Sequence, residues 1–277
     1  MVIIVIGMQT DPVIQYFGRF IKAQAIRDSI VFLDQQCFAS TIHVDNRAWH
    51  IDGLPAIDHH KVQGVWNRLL SEHIQYKHPV IENMHIYARY LMNHCYTKVL
   101  NKPAAGMSNF SKPYQLQLIN PRYINKPNEL ITNHYNLSAA SHKRVVKSVS
   151  SVRSIVTLYK QAELVSLEPV LLQEYLAGIN IRVHVIGCVY VATLIKATAV
   201  DYRYAKVKTK KEVYLPGHIA RECIEIAQQL DLPFAGIDLI YLHKKFWLLE
   251  VNPAPGYHYF ETRCKKITRL ILKYWQK

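Results

Sequence analysis

Two acidic residues and an asparagine near the C-terminus are spaced so that they could bind a cation. The segment FAGIDLIYLHKKFWLLEVNPAPG (234–256) has two apolar runs around a polar His-Lys-Lys turn, which predicts a β-hairpin. A turn centred on Lys244 places Asp238 opposite Glu250, and strand alternation puts Asn252 on the same face. Facing carboxylates repel, and Mg²⁺ shared with substrate phosphates would compensate them. The alternative is a solvated strand face that carries ordinary surface acids.

Basic residues elsewhere in the chain could hold phosphate groups. Lys147 follows two valines and precedes the serine-rich SVSSVRS, a loop whose backbone N–H and hydroxyl groups could face a phosphate. A solvated lysine before a surface turn is the alternative. In INIRVHV, Arg182 shares a strand face with Asn180 and His184, and its guanidinium suits a phosphate or carboxylate. The alternative there is an exposed sheet face.

Hydrophobic patterning indicates which elements position these residues in the first half of the chain. The runs VIIVIG, SIVFLD (29–34) and VQGVWNRLL (62–70) predict strands of a small α/β unit. Apolar residues at helical spacing predict a helix from Pro79 to about Leu100, ending before the next proline. A second helix over SAASHKRV (138–145) is predicted if Ser138 caps it.

The pattern changes to strong β periodicity from Pro169 onward. The runs VLLQEYL, INIRVHVIG and VYVATLIKA predict three strands, and HIARECIEIAQQL (218–230) predicts an amphipathic helix before the closing hairpin. This half of the chain is therefore expected to form a largely antiparallel sheet with a helix on one face.

Charge is the unusual bulk property of the 277-residue chain. The formal net charge is +14, and the stretch 61–162 has 14 Lys or Arg against three Glu. Nucleic acid, an anionic membrane surface, a polyphosphate ligand or an acidic peptide would all interact with such a field. No apolar run approaches the roughly 18 residues that span a bilayer. Five scattered cysteines and the spacing of the 14 histidines fit neither a disulfide framework nor a zinc site.

Several segments, in the same order along the chain, together resemble motifs of the ATP-grasp ligases. Within that family, the resemblance is to the RimK and ribosomal-peptide-maturase (graspetide-type) branch. The resemblance rests on LQEYLAGINIRVHVIG (172–187), DYR (201–203) and GIDLI…LLEVNPAPG (236–256). Motifs nearer the N-terminus follow in the order seen in that branch. VWNRL (65–69) resembles its Asn-Arg signature, and SKPYQLQL (111–118) resembles its first nucleotide-binding lysine segment. ELITN (129–133) resembles its Pro-Thr-x-x-Thr-Asn strand, and VVKSVSSVRSIV (145–156) resembles its second lysine strand and phosphate loop.

The resemblance implies a fold with three parts. These are a small N-terminal α/β domain (1–95), a central ATP-grasp subdomain (96–167) and a C-terminal subdomain with an antiparallel sheet (168–277). ATP would be held between the last two. The fold class is therefore α/β, or α+β when the antiparallel sheet is emphasised.

The resemblance also assigns roles to individual residues. ATP would contact Lys112, Lys147, Gln173, Glu174, Tyr175, Leu176 and Asn180, with residues 173–176 forming a hinge against adenine through backbone groups. Mg²⁺ would be bound by Asp238, Glu250 and Asn252. Arg182 and Arg203 would stabilise the transferred phosphoryl group and the acyl phosphate.

The activity implied is an ATP- and Mg²⁺-dependent carboxylate–amine or carboxylate–hydroxyl ligation through an acyl phosphate. The cofactors are ATP and Mg²⁺, two ions with Mn²⁺ as an alternative. The expected substrate is a peptide or amino acid, of acidic character if the basic stretch attracts it. We expect a cytoplasmic protein without membrane or nucleic-acid partners, and the formation of a homo-oligomer is left open. A non-catalytic ATP-binding scaffold and a basic nucleic-acid-binding protein are the alternatives.

Three departures from the family pattern affect details of this expectation. Asn180 stands where many relatives carry an acid, the phosphate loop is rich in serine instead of glycine, and Leu69-Leu70 follows the Asn-Arg signature instead of a proline. None of them removes a metal ligand, so an active enzyme is expected.

Overall fold

The computed structural model describes residues 2–24, 29–69, 79–133, 143–149, 156–159, 168–197 and 209–276. In these residues the strands are β1 Val2–Gly7, β2 Ile30–Asp34, β3 Ile42–Val44, β4 Ala48–Ile51, β5 Ile57–Asp58, β6 Val62–Arg68, β7 Val99–Leu100, β8 Ile124–Asn125, β9 Glu129–Thr132, β10 Arg144–Ser148, β11 Val156–Leu158, β12 Val170–Glu174, β13 Ile179–Ile186, β14 Val189–Lys196, β15 Thr209–Val213, β16 Phe234–Leu242 and β17 Lys245–Asn252. The α-helices are α1 Pro12–Lys22, α2 Pro79–Tyr90, α3 Pro103–Gly106, α4 Lys112–Leu118, α5 Gly217–Gln229 and α6 Lys266–Gln276.

The chain divides into two compact units. Unit 1 comprises residues 1–105 and 256–277, and unit 2 comprises residues 106–255. The three-part division at residues 95 and 167 stays a prediction. No helix among the described residues is long and apolar enough to cross a bilayer.

Unit 1 contains a four-stranded parallel sheet in the order β2-β1-β6-β7. The three strands predicted in the first 70 residues are confirmed, because they form β1, β2 and β6. A cluster of buried aromatic rings packs on this sheet. The ring centroid of Phe17, in α1, lies 5.0 Å from that of Trp66 and 6.4 Å from that of Trp275, in α6. Gly64 leaves room for Trp275, since a Cβ built there lies 2.7 Å from the indole Nε1. The C-terminal helix is therefore part of the core of unit 1.

The helix predicted from Pro79 to Leu100 is shorter in the structure. α2 ends at Tyr90, a π-helical turn covers Leu91–Cys95, and Val99 and Leu100 form β7. Val99 lies opposite Val65, so β7 extends the parallel sheet with two fully buried residues. Pairing in the sheet outweighs the local helical spacing here, because intrinsic propensities are small compared with burial.

Unit 2 contains two sheets. A four-stranded antiparallel sheet has the order β11-β10-β12-β9, and a six-stranded sheet has the order β15-β14-β13-β16-β17-β8, antiparallel apart from the β17–β8 pair. The predicted β-rich runs after Pro169 are confirmed as β12, β13 and β14. The helix predicted over SAASHKRV is wrong at Arg144 and Val145, which begin β10, and its residues 138–142 lie outside the described residues.

The helix α5 covers one face of the six-stranded sheet. Its apolar stripe of Ile219, Cys223 and Ile226 is buried, as the amphipathic pattern predicted. The same helix contributes the buried Glu222, whose carboxylate accepts backbone N–H groups of residues 122–124 just before β8. The polar residues discussed below share one face of β13, β16 and β17, because Arg182 pairs with Asp238 and Asp238 pairs with Glu250.

Stability of unit 1 is expected to depend on the pH through His85. This side chain is 5% exposed and packs 4.9 Å from the Phe38 ring, and burial lowers its pKa from 6.5 to about 4, with Arg89 adding a smaller effect. Below pH 6.5 the unfolded chain takes up a proton that the folded protein does not. The free energy of unfolding therefore falls between pH 6.5 and 4, by up to about 1.4 kcal/mol per pH unit.

Urea denaturation at several pH values tests this dependence. We expect a His85→Leu variant to lose this part of the slope, because no imidazole remains to titrate. Identical pH slopes for the two proteins would show that His85 does not contribute.

Candidate functional site

The hairpin of β16 and β17 brings Asp238 and Glu250 together, as predicted. The turn is centred between His243 and Lys244, which both have positive φ, and the pairs run from Leu242 with Lys245 to Leu239 with Leu248. A shift in register then leaves Leu249 as an extra residue, so that Asp238 lies opposite Glu250. The predicted pairing is confirmed, although it depends on this β-bulge and not on a turn centred on Lys244.

Asp238 forms a buried ion pair with Arg182 on the neighbouring strand β13. The two residues lie opposite each other, and Arg182 Nη1 donates to Asp238 Oδ2 at 2.5 Å. The Arg182 and Asp238 side chains are 5% and 11% exposed, so Arg182 is no solvated surface residue. His184 lies on the same face of β13, and burial first and Arg182 second hold its pKa well below its ordinary value. The imidazole is therefore neutral and leaves Arg182 as the cation beside Asp238.

Gly236 makes room for the Arg182 guanidinium. A Cβ built on Gly236 lies 2.6 Å from Arg182 Cζ and 2.7 Å from Pro255 Cβ, both closer than side-chain atoms pack. We expect Gly236→Ala to displace Arg182 from Asp238 and to destabilise the protein by about 1–3 kcal/mol. Urea denaturation measures the loss. Gly217→Ala is the matched control, since nothing lies within 4 Å of a Cβ at Gly217, and equal stability of the two variants would contradict the assignment.

The oxygen atoms on this face suit a hard cation. Asp238 and Glu250 are paired across the hairpin and Asn252 lies opposite Gly236, so their side chains follow one another along one face. Asn252 Oδ1 also accepts the backbone N–H of Ala254 at 2.9 Å, which fixes the side chain. Carboxylate and carboxamide oxygens are ligands that Mg²⁺ accepts. Among the described residues, no cluster of three His, Cys, Asp or Glu side chains suggests another metal site.

A cavity of about 330 Å³ lies between the two sheets of unit 2, and its lining includes Ile240 and Leu249 from the strands that carry Asp238 and Glu250. Lys147 of β10 and Gln173 of β12 line it from the four-stranded sheet, and Asn180, Ile240 and Leu249 line it from the six-stranded sheet. Residues 174–178, where the chain passes from one sheet to the other, also line it, as do Val145, Val156 and Ala197. Leu249 is the bulge residue, so the same irregularity that pairs Asp238 with Glu250 also supplies an apolar wall.

Seven predicted ATP-contacting residues are placed at or next to this cavity. Six of them line it, namely Lys147, Gln173, Glu174, Tyr175, Leu176 and Asn180. The seventh, Lys112, begins α4, and its Nζ donates to the Ser148 carbonyl at 3.2 Å, one residue beyond Lys147. Arg203 and the serine-rich residues 150–155 lie outside the described residues.

The predicted hinge has some of its backbone donors already engaged. Glu174 N–H donates to the Asn128 carbonyl, and Tyr175 N–H donates to the Lys143 carbonyl, both at 2.9 Å. These two N–H groups are therefore already hydrogen-bonded within unit 2. A base in the cavity would have to use the remaining backbone groups or the side chains that line it.

Sequence reasoning missed Glu129 as the partner of the cavity residue Gln173. Its carboxylate accepts the Gln173 amide at 2.5 Å, directly across the β9–β12 pair. A glutamate in a short run such as ELITN carries no signal of its own. Only the pairing of β9 with β12, which the sequence does not specify, brings it to Gln173.

Comparison with known proteins identifies the family to which this chain belongs. Residues 111–256 match the family model described as the ATP-grasp domain, and the chain belongs to the ATP-grasp family. The region matched includes the cavity and the Asp238–Glu250 pair. No curated protein matches the sequence.

Similar solved structures show the same fold along almost the whole chain. The ATP-grasp ligase PsnB, complexed with a minimal precursor, is 21% identical with a TM-score of 0.74, and 98% of each chain is covered. The macrocyclase MdnC from Microcystis aeruginosa MRC, bound with the precursor peptide MdnA, is 16% identical with a TM-score of 0.77, covering 99% of this chain and 100% of MdnC. A RiPP-associated ATP-grasp ligase from Chryseobacterium gregarium is 15% identical with a TM-score of 0.74, covering 98% and 95%. The ATP-grasp fold expected from the sequence is thereby confirmed.

Proposed function

We propose that the protein is an ATP- and Mg²⁺-dependent ligase that joins a carboxylate to an amine or hydroxyl through an acyl phosphate. The observation that carries the proposal is the cavity of unit 2, which is lined by the buried Lys147 and by Ile240 and Leu249, from the strands that carry Asp238 and Glu250. A cation site next to a cavity with a buried ammonium group suits a nucleotide polyphosphate.

The side chains of the chain would contribute mainly position and charge to phosphoryl transfer. Lys147 is 5% exposed, so its ammonium group would interact with phosphate oxygens with little screening by water. Lys112 of α4 donates to the last residue of the same strand, and Arg182 offers further donors next to Asp238. Asp238, Glu250 and Asn252 would hold Mg²⁺, which would neutralise phosphate charge when bound. Arg203 is assigned by resemblance to the acyl phosphate.

A peptide is the substrate class that we favour. PsnB and MdnC, which share the fold, form complexes with precursor peptides, and the C. gregarium ligase is in complex with ADP and with leader and core peptides. The net charge of +14 favours an acidic peptide over a basic one. The same charge is the basis of the alternative, a nucleic-acid-binding protein. A family member that binds ATP without turnover is the second alternative.

Nucleotide binding is the direct test of this proposal. We expect the purified protein to bind ADP in the presence of Mg²⁺ by isothermal titration calorimetry, and Lys147→Ala to weaken that binding about tenfold or more. Lys245→Ala, at an exposed position at the start of β17, is the matched control and should bind as the wild type does.

The possible results separate the three functions. Salt-sensitive binding of RNA or DNA without any binding of ADP would favour the nucleic-acid alternative. ADP binding without ADP release from ATP, over a panel of acidic peptides and amines, would favour the scaffold. Titration with Mn²⁺ would count the ions, two in this proposal, and show whether Mn²⁺ replaces Mg²⁺. Peptide binding that does not respond to ionic strength would argue against an acidic substrate.

A further inference from the structure

The side chain of Gln173 is fixed by a neighbour that the assigned ATP contacts do not include. Gln173 of β12 is 1% exposed, and it lines the cavity of unit 2. Its Nε2 donates to Glu129 Oε1 at 2.5 Å, across a pair in which the two residues are directly opposite. The amide nitrogen donates and the carboxyl oxygen accepts, so this contact sets which end of the amide faces Glu129.

Burial and neighbouring groups act in opposite directions on the Glu129 carboxyl. Burial raises the pKa of its carboxyl above the ordinary value, whereas the Gln173 hydrogen bond and then the charges of Lys147 and Lys126 lower it. Lys147 and Glu129 lie on strands that flank β12 and share one sheet face, because their partners on β12, Leu171 and Gln173, are two residues apart. Glu129 is therefore the acceptor for the Gln173 amide and lies on the same sheet face as Lys147.

We propose that Glu129 is a positioning residue that makes the cavity selective for a 6-amino purine over a 6-oxo purine. Gln173 Nε2 donates its hydrogen bond to Glu129. The carbonyl oxygen of the same side chain is therefore the group that would contact a bound base. The inference rests on the proposed function, because it requires that the base of a nucleotide enters this cavity.

Hydrogen-bond chemistry gives the direction of this selectivity. Adenine carries an amino donor at position 6, which matches the carbonyl oxygen of Gln173, whereas guanine carries an acceptor at that position. Two facing acceptors at a side chain that is 1% exposed leave both unpaired. Loss of a buried hydrogen bond in this way corresponds to about a tenfold or larger difference in affinity.

Binding of ADP and GDP, each with Mg²⁺, to the full chain and its variants tests the proposal. For the wild type we expect ADP to bind at least about tenfold more tightly than GDP. In Glu129→Gln the partner can donate or accept, so Gln173 is free to turn, and the ratio should fall to within about threefold. Glu225→Gln on α5, an exposed position in the same unit, is the matched control and should keep the wild-type ratio.

An exchange of the two side chains provides a rescue. In Glu129→Gln/Gln173→Glu the amide lies on β9 and donates, and the carboxylate on β12 again presents only an acceptor to the base. We expect this double variant to recover the preference for ADP, which general damage to the sheet would not do. It also keeps one carboxylate beside Lys147. Circular dichroism checks that each variant folds.

The outcomes distinguish this inference from the proposed function. A preference for ADP that Glu129→Gln leaves intact, or that the exchange does not restore, would overturn the positioning role while nucleotide binding stands. Equal binding of ADP and GDP by the wild type would overturn it as well. Failure of the wild type to bind either nucleotide would refute the proposed function itself.

Discussion

Replacing Glu250 with glutamine is expected to reduce ATP turnover by about a hundred- to a thousandfold. Glu250 lies opposite Asp238 and supplies one of the two carboxylates of the proposed Mg²⁺ site. A neutral carboxamide of almost the same shape keeps the packing but removes the charge that the cation requires. Stability should stay the same or rise, because one of two facing carboxylates is gone.

The effect of Mg²⁺ on ADP affinity isolates this role from any choice of substrate. For the wild type we expect Mg²⁺ to tighten ADP binding, and for Glu250→Gln we expect that enhancement to disappear. Glu225→Gln, the exposed control on α5, should retain it. If Mg²⁺ enhances binding to Glu250→Gln as much as to the wild type, Glu250 is not a ligand of the ion.

The closing hairpin shows how far the sequence alone could lead. Two apolar runs around a polar turn were sufficient to predict the strands and to place Asp238 opposite Glu250. The prediction assumed a turn centred on Lys244, whereas the turn is centred between His243 and Lys244. Asp238 still lies opposite Glu250, because the bulge at Leu249 adds one residue to β17. Alternation alone cannot locate a bulge, since it depends on packing between strands and on the cavity beside them.

Residues that act through long-range pairing were beyond the reach of the sequence. Glu129 and Gln173 are 44 positions apart, and nothing in either local pattern indicates that β9 and β12 are neighbours. The same holds for Val99, whose helical spacing was overridden by its place beside Val65. The C-terminal helix is a third case, because no helix was predicted there and only the fold shows the buried stripe that ends at Trp275. Local periodicity therefore predicted elements well and their partners poorly.

Removal of Asp238 is expected to have the largest effect on stability. Its carboxylate compensates the Arg182 guanidinium in a site where the two side chains are 11% and 5% exposed. Asp238→Ala would leave that cation buried without its counter-charge, which costs about 3–5 kcal/mol of unfolding free energy in comparable pairs. Urea denaturation followed by circular dichroism measures the loss.

The double variant Arg182→Met/Asp238→Leu separates the cost of an unpaired charge from the value of the pair itself. Apolar side chains of similar volume need no counter-charge, so we expect the double variant to regain most of the stability lost in Asp238→Ala. It should nevertheless lose Mg²⁺-dependent ADP binding, because a proposed metal ligand and a phosphate-binding cation are both gone. If the loss of unfolding free energy in the double variant equals the sum of the losses in the two single variants, Arg182 and Asp238 are not coupled. Recovery of stability without recovery of binding would indicate that the ion pair is kept for nucleotide chemistry and not for the fold.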